Sequence, residues 1–132
     1  MGDLPRPYPH RDRDSAPFWE AQDRHELTFQ KCSQCGTVRY PIGPLCPDCR
    51  SFDFAWIASS GRGTVHSYTV VRHQTHPAFA VPYTIVLAEM EEGPRLIAQL
   101  RAPEGTPVEI GAAVRVEWED LPHQALPVFV LE

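Results

Sequence analysis

The stretch that decides the fold reads Cys32-Ser33-Gln34-Cys35-Gly36, then ten residues on, Cys46-Pro47-Asp48-Cys49. Each Cys-x-x-Cys makes a tight knuckle whose two sulfurs converge on one point. Gly36 lets the backbone turn with positive φ just past the second sulfur. Two facing knuckles supply four thiolates at about 2.3 Å to one tetrahedral ion. The expected ligands are therefore Cys32, Cys35, Cys46 and Cys49, with one zinc per chain. Iron is the competing metal, because paired knuckles with Gly after the first and Pro inside the second also suit a rubredoxin, and sulfur donors alone do not separate the two. A four-thiolate shell has no open position, so the ion is structural. Its binding, about 10–16 kcal/mol in small zinc peptides, stabilises a ribbon too small for a sufficient apolar core.

All four cysteines fall in this one stretch. In a reducing compartment such clustering indicates a metal rather than two disulfides. The N-terminus lacks the apolar core of a signal peptide and no apolar run is long enough for a bilayer, so the expected location is the cytoplasm, away from membranes.

Upstream, residues 1–14 are rich in Pro, Arg and Asp and read as an extended arm, either free or laid across a partner. Asp14 or Ser15 can cap a short helix that tolerates Pro17 in its first turn and ends near His25. Phe18, Trp19 and Ala21 form its apolar side, packed on the ribbon or on a partner. Leu27-Thr28-Phe29-Gln30-Lys31 alternates as a half-buried strand should. Short strands also fit 38–40, stopped by Pro41, and 52–57. Residues 15–60 thus form a helix and a rubredoxin-like zinc ribbon.

Gly61-Arg62-Gly63 breaks the pattern. Five strand-like segments follow at 64–71, 83–90, 95–101, 113–118 and 126–131, separated by turns such as Glu91-Glu92-Gly93-Pro94. Strands so spaced without helices indicate a small barrel, and five strands point to an OB-fold over residues 61–132. The fold class is mainly β.

Charge and missing motifs narrow the function. Residues 1–72 carry nine Arg or Lys against eight Asp or Glu, but residues 73–132 carry three against nine. A nucleic-acid binder shows the opposite, a basic face. With all thiols committed to metal there is no catalytic cysteine, and neither a phosphate loop nor a G-x-S-x-G elbow is present. His73-Gln74-Thr75-His76 could offer a second metal site or a general base, but no carboxylate lies nearby in sequence to orient a ring, and the preferred reading is a solvated loop. Glu117, Glu119 and Asp120 read as a solvated strand end. The loop from Arg72 to Pro82, followed by Tyr83, interleaves Arg72, His73, His76 and Phe79, and fits either a nucleotide-like ligand or, the preferred reading, an apolar patch for a protein partner.

The order Pro17-Phe18-Trp19-Glu20, Cys32-x-x-Cys35-Gly36, Arg39-Tyr40-Pro41, Cys46-Pro47-x-Cys49 and Gly61-Arg62-Gly63-Thr64-Val65 resembles a known family. So do Ser67-Tyr68-Thr69-Val70-Val71, His76-Pro77-Ala78-Phe79, Pro82-Tyr83 and Glu92-Gly93-Pro94-Arg95-Leu96 in the barrel. These features are similar to the zinc-ribbon OB-fold accessory proteins encoded beside thiolases, long catalogued as a domain of unknown function. The resemblance covers about residues 15–131. It implies a non-catalytic subunit of acyl-CoA and lipid metabolism, with steroid degradation among its settings. Its partner would be a thiolase-like or lipid-transfer-protein-type aldolase subunit, in some cases a hot-dog-fold hydratase, in a hetero-oligomer that shares an acyl-CoA ligand. By the same resemblance Phe18 and Trp19 face the partner, and Arg72, Phe79 and Tyr83 lie on the CoA side. The readings outside the family are a nucleic-acid-binding OB-fold and a rubredoxin-like electron carrier.

Overall fold

Asp12 and Ser15 set the first element. The Ser15 N–H donates to Asp12 Oδ1 at 2.7 Å and the Asp12 N–H to Ser15 Oγ at 3.2 Å, a reciprocal clasp that starts helix α1, Ala16–Asp23. The computed structural model describes residues 5–132, so the first four residues of the expected arm lie outside the described residues. Pro17 sits in the first turn, where no intrahelical acceptor is needed. The helix stops two residues short of His25, which itself adopts a left-handed φ of 61°.

Strands β1 (Thr28–Cys32), β2 (Val38–Arg39) and β3 (Phe54–Ala58) form an antiparallel sheet in the order β2-β1-β3. One face of this sheet carries Phe29, which is fully buried and meets Phe18 of α1 and residues of the barrel in a single core. The opposite face is covered by the segment leading to Cys46. There the Gln30 side chain donates to the Gly43 carbonyl at 2.9 Å and accepts the Gly43 N–H at 3.0 Å. Alternation marked Gln30 as the wet face, yet it is completely enclosed.

Strands β4 (Arg62–Val71), β5 (Tyr83–Met90), β6 (Arg95–Leu100), β7 (Ala113–Leu121) and β8 (Gln124–Leu131) close a barrel in the order β4-β5-β6-β8-β7. Closure comes from a short parallel pairing, Gln99 with Val128 and Leu100 with Phe129. The interior is filled by Val65, Val86, Ala88, Leu96, Val114 and Phe129. Pro127 lies in β8 opposite Trp118, before the pairing with β6 begins, so its missing N–H costs the ladder nothing. The chain is therefore mainly β, one helix and a ribbon followed by a five-stranded barrel. No helix among the described residues is long and apolar enough to cross a membrane.

Candidate metal centre and barrel cleft

The two knuckles are built alike. Gly36 N–H donates to Cys32 O at 3.0 Å and Arg50 N–H to Cys46 O at 2.9 Å; Cys32 N–H donates to Thr37 O at 2.9 Å and Cys46 N–H to Ser51 O at 3.0 Å. The residue past each second cysteine is left-handed, Gly36 at φ 77° and Arg50 at φ 66°. This turn aims both sulfurs of a knuckle the same way, and the four sulfurs gather within 4.8 Å of one another. Cys32 to Cys49 is 3.5 Å and Cys35 to Cys46 is 3.6 Å. Metal–sulfur bonds of about 2.3 Å in a regular tetrahedron give edges of about 3.8 Å, so the four residues fit one such ion. Cys32 and Cys46 are buried, Cys35 and Cys49 exposed.

Local electrostatics favour thiolates at the first knuckle. The N–H of Cys35, joined by that of Gln34, lowers the Cys32 thiol from 9.0 to about 6. The hydroxyl and N–H of Thr37 lower Cys35 as well. Cys49 moves the other way: the Ser51 N–H favours its thiolate, but the sulfurs of Cys32, Cys35 and Cys46 crowd it and it is pushed up to about 12. Four sulfurs this close cannot all ionise alone, and a divalent cation relieves that repulsion. Thr37 Oγ1 also lies 2.7 Å from Asp48 Oδ2, so this one hydroxyl sits between the two knuckles.

The barrel opens at one end into a cleft of about 440 Å³. Arg72 and Tyr83 line it with Tyr68, Val70, Leu100 and the 102–108 loop. Phe79 lies beside Tyr83, ring centroids 6.5 Å apart, but outside the cleft wall; its own ring is covered by the Arg6 guanidinium at 4.9 Å. His76 is a brace rather than a free base, since its Nδ1 accepts the Ala78 N–H at 3.0 Å. Of the helix pair, Phe18 is only 1% exposed and belongs to the chain's own core, whereas Trp19 is half-buried, with its indole N–H on Ser15 Oγ at 3.1 Å. A ring enclosed to that degree has no surface to offer a partner. The acidic strand end lies at the surface, as expected, and carries surface ion pairs: Glu117 meets Arg101 at 3.2 Å and Arg115 at 2.7 Å, and Asp120 meets His25 at 2.6 Å.

A four-cysteine ribbon joined to a closed five-stranded barrel defines a zinc-ribbon OB-fold protein. Comparison with known families agrees: residues 19–55 match the ChsH2 rubredoxin-like zinc ribbon domain and residues 56–119 the ChsH2 C-terminal OB-fold domain. The chain belongs to this family, also designated DUF35. A DUF35 domain-containing scaffold protein of Methanothermobacter thermautotrophicus is 36% identical over 95 residues, 70% of this chain and 71% of that one. A probable enoyl-CoA hydratase alpha subunit of Thermomonospora curvata is 43% identical over 125 residues, 94% of this chain. The 3-oxo-4,17-pregnadiene-20-carboxyl-CoA hydratase alpha subunit of Mycobacterium tuberculosis is 37% identical over 118 residues, 89% of this chain. The chain spans only 39% and 38% of the length of those two hydratase subunits. Among solved structures, a chain of an Ltp2-ChsH2(DUF35) aldolase superposes with a TM-score of 0.87 at 41% identity, covering 94% of this chain and 98% of that one.

Proposed function

We propose that this chain is a non-catalytic, zinc-binding scaffold that assembles with a thiolase-like aldolase subunit and shares with it the binding of an acyl-CoA thioester. The observation that carries the proposal is the nearly end-to-end likeness to the ChsH2 chain of an aldolase complex. Cys32, Cys35, Cys46 and Cys49 each donate one thiolate to a single zinc. That ion supplies rigidity, because a closed shell of four sulfurs leaves no site for substrate. With all four cysteines so engaged, the chain has no thiol left for acyl transfer, and the nucleophile or base comes from the partner.

Residues 15–60 form the module that holds the metal and meets the partner, with Trp19 at the contact and Phe18 supporting it from the core. Residues 61–132 form the ligand module, where Arg72 and Tyr83 line the cleft and Phe79 stands next to Tyr83. The names of the hydratase relatives favour an enoyl or steroid-derived thioester and an assembly of unlike subunits; a hot-dog-fold hydratase as a further partner and a cytoplasmic location belong to the same proposal and rest on the family resemblance and the sequence. Nucleic acid is disfavoured on a separate ground. OB-folds bind oligonucleotides between the loops that join their first and second, and fourth and fifth, strands. Here the chain's own arm spans those loops, with Arg6 over Phe79 and the Tyr8 ring edge-on to His123 at 5.3 Å.

The test is copurification with a thiolase-like aldolase subunit from the same organism, read by native mass and zinc content. A stable complex with one zinc per copy of this chain, active on acyl-CoA only as the pair, is expected. A zinc-loaded chain that ignores the thiolase, or one that turns over acyl-CoA alone, would sink the proposal.

A further inference from the structure

Among the described residues Arg39 is a buried cation with no anion paired to it. The residue is 6% exposed, and its guanidinium carbon lies 5.1 Å from the centre of the Phe54 ring. One nitrogen, Nη2, donates to the Gly43 carbonyl at 3.3 Å. Nε and Nη1 are enclosed with no acceptor. Among the described residues no carboxylate lies within ion-pair distance of it. A guanidinium does not shed its proton to escape burial, and an uncompensated charge in the interior is strongly unfavourable.

The register shows what lies near. Arg39 stands opposite Gln30, and Phe54 stands opposite Cys32, two residues further along β1. Cross-strand partners point to the same face, as do residues two apart. Arg39, Gln30, Cys32 and Phe54 therefore share one face of the ribbon sheet. The guanidinium reaches across β1 toward Phe54, the residue that stands opposite Cys32. Four thiolates with a divalent ion carry two net negative charges, and on the enclosed side of the centre, where Cys32 and Cys46 are buried, that charge is screened less than in water.

We infer that Arg39 is the buried counter-charge of the metal centre, a positioning residue that holds the dianionic site in the folded ribbon through electrostatic attraction rather than by ligation. This rests on the metal assignment proposed above, and the experiment separates the two. Zinc stoichiometry of the unmodified protein tests the centre itself. Zinc affinity, measured by competition with a chromophoric chelator, then compares the unmodified chain with Arg39→Gln and Arg39→Lys, each checked for fold by circular dichroism at saturating zinc. Arg39→Gln is expected to bind zinc about 10-fold more weakly, the lower end for supporting residues around a metal. Arg39→Lys, which keeps the charge but not the fork, is expected to recover most of that loss. Recovery by lysine supports the inference even where the glutamine variant is too unstable to titrate. Unchanged affinity in Arg39→Gln, or a lysine variant as impaired as the glutamine one, overturns it in favour of a packing role under Gly43. Iron substitution gives a second readout. A ferric tetrathiolate bears one negative charge fewer than the ferrous one, so removing a nearby cation lowers the reduction potential in Arg39→Gln but not in Arg39→Lys. A potential that does not move also overturns the inference.

Discussion

The Glu92 carboxylate accepts the Ser59 hydroxyl at 2.6 Å and the Ser60 N–H at 2.8 Å, so a turn of the barrel grips the last residues of the ribbon segment from 32 and 33 positions away. Partial burial by itself would raise this carboxyl, but the Ser59 hydroxyl and the Ser60 N–H outweigh it and hold the group below its ordinary 4.5. A depressed folded-state value stabilises the fold fully above the unfolded value and loses that contribution as pH falls through the folded one. Glu92→Gln should therefore lower stability by about 0.5–1 kcal/mol at neutral pH, a modest figure because the group is partly in solvent. The gap between variant and parent melting temperatures should narrow below pH 4.5. A gap that stays constant down to pH 3 would show that the carboxylate charge plays no part.

Gly63 is constrained by space rather than by φ. A Cβ there would come 2.5 Å from the Glu89 carbonyl oxygen and 3.0 Å from Met90 Sδ, and the carbonyl belongs to the β4–β5 ladder and has little freedom to withdraw. Gly63→Ala should cost about 1–3 kcal/mol, as overpacked sites do. Gly43→Ala, where nothing lies within 4 Å of the added atom, is the matched control and should be close to neutral. Equal melting temperatures for the two variants would refute the steric reading.

Gly36 tests the opposite cause. Nothing lies within 4 Å of a Cβ added at this position, but its φ is 77°. Gly36→Ala should lose about 1–2 kcal/mol purely through backbone conformation. Arg50→Gly, at the equivalent place in the second knuckle, should be stabilising or neutral, since the left-handed strain it relieves is offset by the greater freedom of glycine when unfolded. Denaturant melts of the zinc-loaded variants measure both. A clearly destabilised Arg50→Gly would mean that the arginine side chain, not the turn, secures that knuckle.

These positions also mark how far the chain could be read unaided. The knuckles and the barrel were legible because Cys spacing and period-two alternation are local signals: 83–90 matches β5 residue for residue, and Gly36 turns as expected. β7 runs on to Leu121, beyond the expected 118, because Glu119 and Asp120 continue the ladder into a two-residue turn despite their charge. Gln30, Arg39 and Glu92 were not legible. Each is decided by a segment remote in sequence: Gly43 over Gln30 and Arg39, and Ser59 and Ser60 beneath Glu92. Periodicity tells which residues share a face, not whether a loop later covers it. Phe18 and Trp19 are the same case, since adjacency told nothing of which ring turns inward.

Metal removal should report on more than the ribbon. Phe29 packs edge-on to Tyr40 at 6.0 Å and joins the same core as Val65 and Val86 of the barrel. Loss of the ion should thus release a shared core. Chelation, or Cys46→Ser, should lower the melting temperature by well over 10 °C, given the energy a structural zinc contributes to a small fold. Near-ultraviolet dichroism should lose its aromatic signal at the same point. An unchanged melt after verified zinc loss would remove the structural role assigned to the centre.

Arg72 is the most direct test of ligand sharing. Among the described residues that line the barrel cleft it is the only cation, facing a wall that includes Glu104. A single exposed guanidinium in a cleft that also carries an acid cannot hold the several phosphates of a CoA nucleotide unaided, but it can add one charge-assisted contact when a partner supplies the rest. In the assembled complex, Arg72→Ala should therefore raise KM for acyl-CoA about 10-fold, equivalent to about 1.4 kcal/mol, and leave kcat nearly unchanged. Arg115→Ala is the control, because Arg115 is already paired with Glu117 at 2.7 Å and lies outside the cleft; it should leave both constants alone. If Arg72→Ala leaves KM where it was, the cleft is not the acyl-CoA side of the barrel. If it lowers kcat instead, the arginine acts on the reacting end of the ligand or on the partner's active site, and the division of labour between a catalytic partner and an inert scaffold has to be redrawn.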